Sequence, residues 1–135
     1  MFGVNYLAVA IAAIVAWISG AVWYIAFGKT WIAALGMTPE KMEATSSFGF
    51  YLPFILLFLA DLVIGWVLAI LLFHLGEHTV RSGVIIASIC WLGFVLSTML
   101  VNNSFGKRDR RLIIIDGGHW LLVLLLMGTI IGAMR

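Results

Sequence analysis

Four long apolar runs, separated by short polar stretches, constrain this chain more than any other feature. They lie near residues 5–27, 51–75, 82–101 and 112–134. Each reaches the roughly 20 residues that an α-helix needs to cross hydrocarbon. Lipid offers a backbone no hydrogen bonds, so continuous runs of this kind are expected to be helices. At 64% hydrophobic and 10% charged residues, the chain has too little charge to cover a soluble domain of 135 residues. The expectation is therefore an all-α fold, an integral membrane four-helix transmembrane bundle. It forms a single domain over residues 1–135, with the lipid bilayer as its first partner.

Charge sits in the connections. Lys29, Lys41, Lys107, Arg108, Arg110 and Arg111 flank one end of the predicted bundle, and only Arg81 and Arg135 flank the other. Positive residues favour the cytoplasmic side, which puts both termini outside the cytoplasm and both longer loops inside. The basic excess belongs to topology and anionic headgroups, and no nucleic-acid partner is expected. Met1–Asn5 holds no basic residue and the run after it is too long for a signal peptide, so no cleavage is expected. Cys90 is the single cysteine and lies inside an apolar run, which reads as a small core residue.

Each helix carries a packing signature. Ala8, Ala12, Ala16 and Gly20 put a small residue at every fourth position of the first helix, a smooth stripe for a close neighbour. Trp23 and Tyr24 close that helix as interfacial aromatics. In loop 28–49, Thr30–Leu35 predicts a short interfacial helix with Trp31 toward lipid and Gly36 as its stop. Thr38-Pro39-Glu40 predicts a further helix start. Pro53 is expected in the opening turn of the second helix. The short turn Gly76–Arg81 makes the second and third helices antiparallel neighbours, with Thr79 as an N-cap. Gly83, Cys90 and Ser97, seven apart, predict a packing seam on the third helix, with Gly93 alongside. On the fourth helix, Asp116, His119, Val123 and Met127 share one side, and Gly117, Gly128 and Gly132 lie roughly opposite. Glycines turned away from a polar core suggest a homodimer through Gly128 and Gly132, unless the first helix fills that groove.

Ionisable groups in hydrocarbon cost at least about 2.5–3.5 kcal/mol each at a helix centre, so Asp61, Asp116 and His119 are the candidate functional residues. Asp61 falls near the midplane, and His119 differs from it by about one helical turn in depth. If their helices are neighbours the two can pair. They then either fix helix register or act as a proton-relay or substrate-coordinating pair. Asp116 lies one turn inside, where the helix dipole, Asn102, Asn103 and the arginine cluster can satisfy it. Trp17, Trp91 and Trp120 share the middle-to-inner depth band with Asp61, Cys90 and His119. They read as core filling with bonded N–H groups, or as the wall of a flat-ligand site.

Other chemistry finds little support. His74-Leu-Gly-Glu77-His78 matches the H-x-x-E-H pattern of inverted zinc peptidases, but Gly76 and Thr79 predict a turn where that motif needs one helix. His74, Glu77 and His78 remain a weak metal or pH-sensing site. His74 and His119 differ too much in depth to share a haem. No Walker loop, dinucleotide fingerprint or nucleophile triad occurs. No catalytic residue or cofactor is expected, and the chain does not read as an enzyme.

Several segments together resemble a family of small bacterial four-helix membrane proteins known only as domain of unknown function seventeen-sixty-one. They are Trp23-Tyr24, Phe27-Gly28-Lys29, Trp31, Leu35-Gly36-Met37-Thr38, Asn102, Phe105, Leu112-Ile113-Ile114-Ile115-Asp116-Gly117 and Met127-Gly128 through Gly132. The resemblance implies a bacterial inner-membrane location and brings no activity. Three readings follow. The first is a non-enzymatic packing or accessory protein, self-associating or bound to membrane partners. The second is a small transporter or permeation subunit using Asp61 and His119. The third is a membrane enzyme or cofactor binder.

Overall fold

The structure, a computed structural model, describes residues 3–37, 40 and 47–134. Among the described residues the helices α1 (Tyr6–Ala26), α2 (Gly28–Leu35), α3 (Ser47–His74), α4 (Val80–Phe105) and α5 (Arg110–Ala133) follow in order. All but α2 are long and apolar enough to cross a membrane. The chain is an all-α membrane four-helix bundle, as its apolar runs require. The predicted helix start at Thr38-Pro39, Lys41 and Arg135 lie outside the described residues.

The helix ends have local causes. Asn5 caps α1, its side chain accepting from the Ala8 N–H at 3.1 Å. Gly36, with φ of 70°, stops α2 in the left-handed region that glycine reaches without strain. At the other end of the bundle, Gly76 turns the chain with φ of 69°. Thr79 then starts α4 through a capping box with Ser82. That turn separates His74, the last residue of α3, from Glu77 and His78, so the three never share one helical face. Pro53 is the seventh residue of α3, inside the helix rather than in its opening turn.

The lateral arrangement departs from the expected one. α5 is the central helix, packed against α4 and α1 and more lightly against α3 and α2. α1 also packs on α3, whereas α3 and α4, although joined by a short turn, touch only lightly. Between them opens an apolar groove of about 410 Å³, with Trp120 and Leu124 of α5 on its floor.

The small residues decide which helices come closest. Ala8, Ala12, Ala16 and Gly20 are all buried, so the stripe of α1 is a contact face. Gly128 of α5 meets Gly83 of α4 backbone to backbone, and Gly132 meets the Thr79 carbonyl. The face expected to be open to a second chain, or filled by the first helix, is thus occupied by α4 of the same chain. The expected Gly83–Cys90–Ser97 seam is also corrected. Gly83 and Ala87 are buried, Cys90 is half-buried, Ser97 is exposed and Gly93 meets nothing within 4 Å. The reason is a π-helical segment, Trp91–Leu96, inside α4. Its wider i→i+5 turns shift the phase of the helix. The face turned to α5 accordingly runs Gly83, Ala87, Trp91, Val95, Met99 and Asn103, a step of four throughout. Ser97 and Thr98 hydroxyls donate to the Leu92 and Phe94 carbonyls of this segment, at 2.7 and 2.6 Å.

Candidate functional site

The end of α1 and the beginning of α5 assemble a polar and aromatic cluster inside the bundle. Continued one more step of four, the stripe Ala8–Gly20 lands on Tyr24. Its hydroxyl donates to Asp116 Oδ1 at 2.6 Å. Asp116 is therefore held by a tyrosine of α1, not by Asn102, Asn103 or the arginines. Arg111 is engaged instead with Asp109, Nη2 to Oδ2 at 2.7 Å. One residue before Tyr24, Trp23 donates its indole N–H to the Ile115 carbonyl at 2.9 Å. Gly118 makes room for it, since a Cβ there would stand 2.8 Å from the Trp23 ring. Trp23 and Tyr24 thus dock on α5 rather than simply marking an interface.

His119 completes the cluster. Its ring lies 5.0 Å from that of Tyr24 and 4.8 Å from that of Trp120, centroid to centroid. Gly20 allows this approach, because a Cβ there would stand 2.8 Å from His119 Nε2. α2 covers the cluster from the basic end. Its Trp31 packs edge-on to Tyr24 at 5.5 Å with a buried indole N–H, which corrects the expectation that Trp31 faces lipid.

The hydrogen-bond pattern divides the polar groups into two sets. Trp17, Trp23 and Trp91 all donate to backbone carbonyls of neighbouring helices (Phe54, Ile115 and Gly117). Trp23 and Trp91 are half-buried and fit core filling with satisfied N–H groups, whereas Trp17 is exposed on the outside of the bundle, against that expectation. Trp31 Nε1 and Asn103 Nδ2 are buried without a partner among the described residues, and so are the side chains of Asp61 and His119. Asp61 and His119 are 0% and 1% exposed, and none of their four polar side-chain atoms has a hydrogen-bond partner among the described residues. The structure therefore brings Asp61 and His119 into one interior but does not pair them.

Two contacts fix their relative depth. A Cβ at Gly20 would lie beside both His119 Nε2 and Leu57 Cδ2, so these residues share one level. A Cβ at Gly65 would lie 3.5 Å from Val9 Cγ1 and 3.8 Å from Met127 Sδ, which defines a second level. Asp61 stands between Leu57 and Gly65 on one face of α3, four residues from each, and so about 6 Å along the axis from the His119 level. At that intermediate depth α1 presents Ala12, Ala13 and Ala16, and α5 presents Val123, all 0% exposed.

Among the described residues no group of three or more His, Cys, Asp or Glu side chains is placed to hold a metal ion. His74, Glu77 and His78 lie at the opposite end of the bundle, around the Gly76 turn. Sequence reasoning did not find Tyr24 or Trp31 as parts of the cluster, although the fourfold spacing of the α1 stripe pointed at Tyr24.

These features define a class: a small helical membrane bundle with an ionisable and aromatic cluster in its interior. The chain belongs to a family described as "Protein of unknown function (DUF1761)", whose model matches residues 7–132. No curated protein and no solved structure matches the chain.

Proposed function

We propose that this protein is a small multi-pass permeation unit that handles protons through Asp61 and His119. The observation that carries this reading is the complete burial of both groups without a hydrogen-bond partner. An orphaned buried polar group costs about 1–3 kcal/mol, and an ionisable one inside a membrane is functional by default. A group serving only helix register gains that role through a bond to a neighbouring helix, as Tyr24 does with Asp116. The carboxyl of Asp61 is fully buried and has no such bond among the described residues. A cation such as Na⁺ or Ca²⁺ needs several oxygen ligands at once, whereas a proton needs only one. The proton is the species this donor set suits.

In this reading the Lys107–Arg111 end faces the cytoplasm, which the excess of basic residues there supports. The Tyr24–Asp116–His119 cluster then faces the cytoplasm, with Asp61 deeper. The test is proton flux in proteoliposomes loaded with a pH-sensitive dye under an imposed gradient. Wild type is expected to dissipate the gradient, and Asp61→Asn and His119→Gln to lose that activity while keeping helicity. Equal flux in all three ends the proposal.

A second reading, an accessory subunit that packs against a membrane partner, is favoured by the apolar groove between α3 and α4. Cross-linking from Cys90, which lines that groove, separates the two readings, because a proton path through Asp61 needs no partner there.

A further inference from the structure

We infer that Leu57 is the hydrophobic barrier separating His119 from Asp61, and that its displacement admits the water which connects them. This rests on the proton-handling reading above and specifies how that path is controlled. Leu57 sits four residues before Asp61 on the same face of α3. Its Cδ2 and His119 Nε2 flank a single spot on α1: a methyl group at Gly20 would stand 3.4 Å from the first and 2.8 Å from the second. The side chain is therefore at the mouth of the interval leading from His119 to Asp61.

The side chains that flank that interval are apolar. Ala16 of α1 and Val123 of α5, one turn from Gly20 and His119 respectively, are both 0% exposed. Tyr24 and Asp116 lie on the far side of His119 and are bonded to each other. The ionisable groups facing this space from the packed helices are thus His119 on α5 and Asp61 on α3, with Tyr24 and Asp116 behind them.

A proton moves along contiguous hydrogen bonds and cannot cross about 6 Å of hydrocarbon, the axial rise of the four residues from Leu57 to Asp61. Water has to bridge the interval, and a constriction lined by Leu, Ala and Val excludes water until it widens. Leu57 is the movable part of that lining. Alanine has no rotamers and Val123 is stiff at χ1, whereas Leu57 is only half-buried and has alternative staggered rotamers to adopt.

The experiment compares proton flux in proteoliposomes for wild type, Leu57→Ala, Leu57→Phe, Asp61→Asn and the double variant Leu57→Ala/Asp61→Asn. Helicity and monodispersity in detergent serve as folding controls. Removing the barrier is expected to raise flux at least about threefold, and the bulkier ring to lower it by a similar factor. In the double variant flux is expected to fall to the Asp61→Asn level. Flux that rises in Leu57→Ala but persists in the double variant is a leak around Asp61 and overturns the barrier. Unchanged flux in both Leu57 variants, with loss in Asp61→Asn, also overturns it but leaves the proton-handling reading standing. If Leu57→Ala fails its folding controls, Leu57→Phe decides alone, with undiminished flux as the overturning result. Equal flux in wild type and every variant sinks both proposals together.

Discussion

The Tyr24 hydroxyl donates to Asp116 Oδ1 at 2.6 Å and ties the end of α1 to the start of α5 across 92 residues. Interhelical hydrogen bonds in membrane bundles contribute about 0.6 kcal/mol on average and up to about 1.7. A short bond to a carboxylate belongs at the upper end of that range. Tyr24→Phe is expected to lower stability by about 1–2 kcal/mol in detergent unfolding, because it also leaves Asp116 without its donor. A double-mutant cycle with Asp116→Asn measures the coupling, and a value near zero would show that the two side chains do not depend on each other.

Glycines in α5 make a sharper contrast. A Cβ at Gly128 would collide with the Gly83 carbonyl, a backbone atom that cannot step aside. A Cβ at Gly117 would meet nothing within 4 Å. Gly128→Ala is expected to force α4 and α5 apart and cost about 1–3 kcal/mol or more. Gly117→Ala should be neutral or slightly stabilising, since alanine is the better helix former. Thermal unfolding of the two variants side by side checks this, and equal melting temperatures would contradict the packing.

Much of this packing was legible along each helix and little of it between helices. Four apolar runs specify four long helices, and small residues at fourfold spacing specify close faces, as at Ala8–Gly20. The turn at Gly76 and the cap at Thr79 follow from local chemistry. What the periodicity of one helix cannot encode is the identity of its neighbour. Gly128 announces that something comes close, but only the lateral order of the bundle makes that neighbour Gly83. Likewise Asp116 announces a need for a partner, and Tyr24 supplies it from the other end of the chain. The π segment was hidden for another reason. No residue type marks it, and it arises where a step of four must hold over Gly83 to Asn103 on a helix whose natural repeat is shorter.

At the basic end, the start of α5 should respond to acid. Hydrogen bonds from the Arg111 side chain and backbone hold the Asp109 carboxyl at about 2, below its ordinary 3.8. A carboxyl lowered in the folded state contributes stability that is fully present above the ordinary value and is lost as pH falls through the lowered one. Unfolding measured from pH 5 down to pH 2 should therefore show a loss confined to about pH 4 to 2, absent in Asp109→Asn. Arg111 is exposed and Asp109 is partly so, and the effect should therefore also shrink in high salt.

Orientation is tested independently of any activity. In a Cys90→Ser background, a cysteine at Gly76 should be labelled from outside intact cells by an impermeant reagent. A cysteine at Lys107 should react only after permeabilisation. The opposite pattern would place the basic loop outside and reverse the assignment of both termini.

The last prediction concerns the conflict between stability and use at Asp61. Its two carboxyl oxygens are buried without a partner, so the folded bundle carries a desolvation cost with no bond to offset it. Asp61→Val replaces the carboxyl with an apolar group of similar shape in the buried interior of the bundle. Removing an orphaned polar group should raise stability by about 1–3 kcal/mol. Asp61→Asn keeps a polar group in the same place and should gain nothing. A residue present only for packing would show the reverse order, since selection for packing alone has no reason to keep an unpaired carboxyl in an apolar interior. Unfolding of both variants in detergent, read beside their proton flux, decides the matter. A more stable Asp61→Val protein that has lost flux identifies a carboxyl kept at the expense of the fold. A clearly less stable one would mean that Asp61 holds the helices together through a partner of its own.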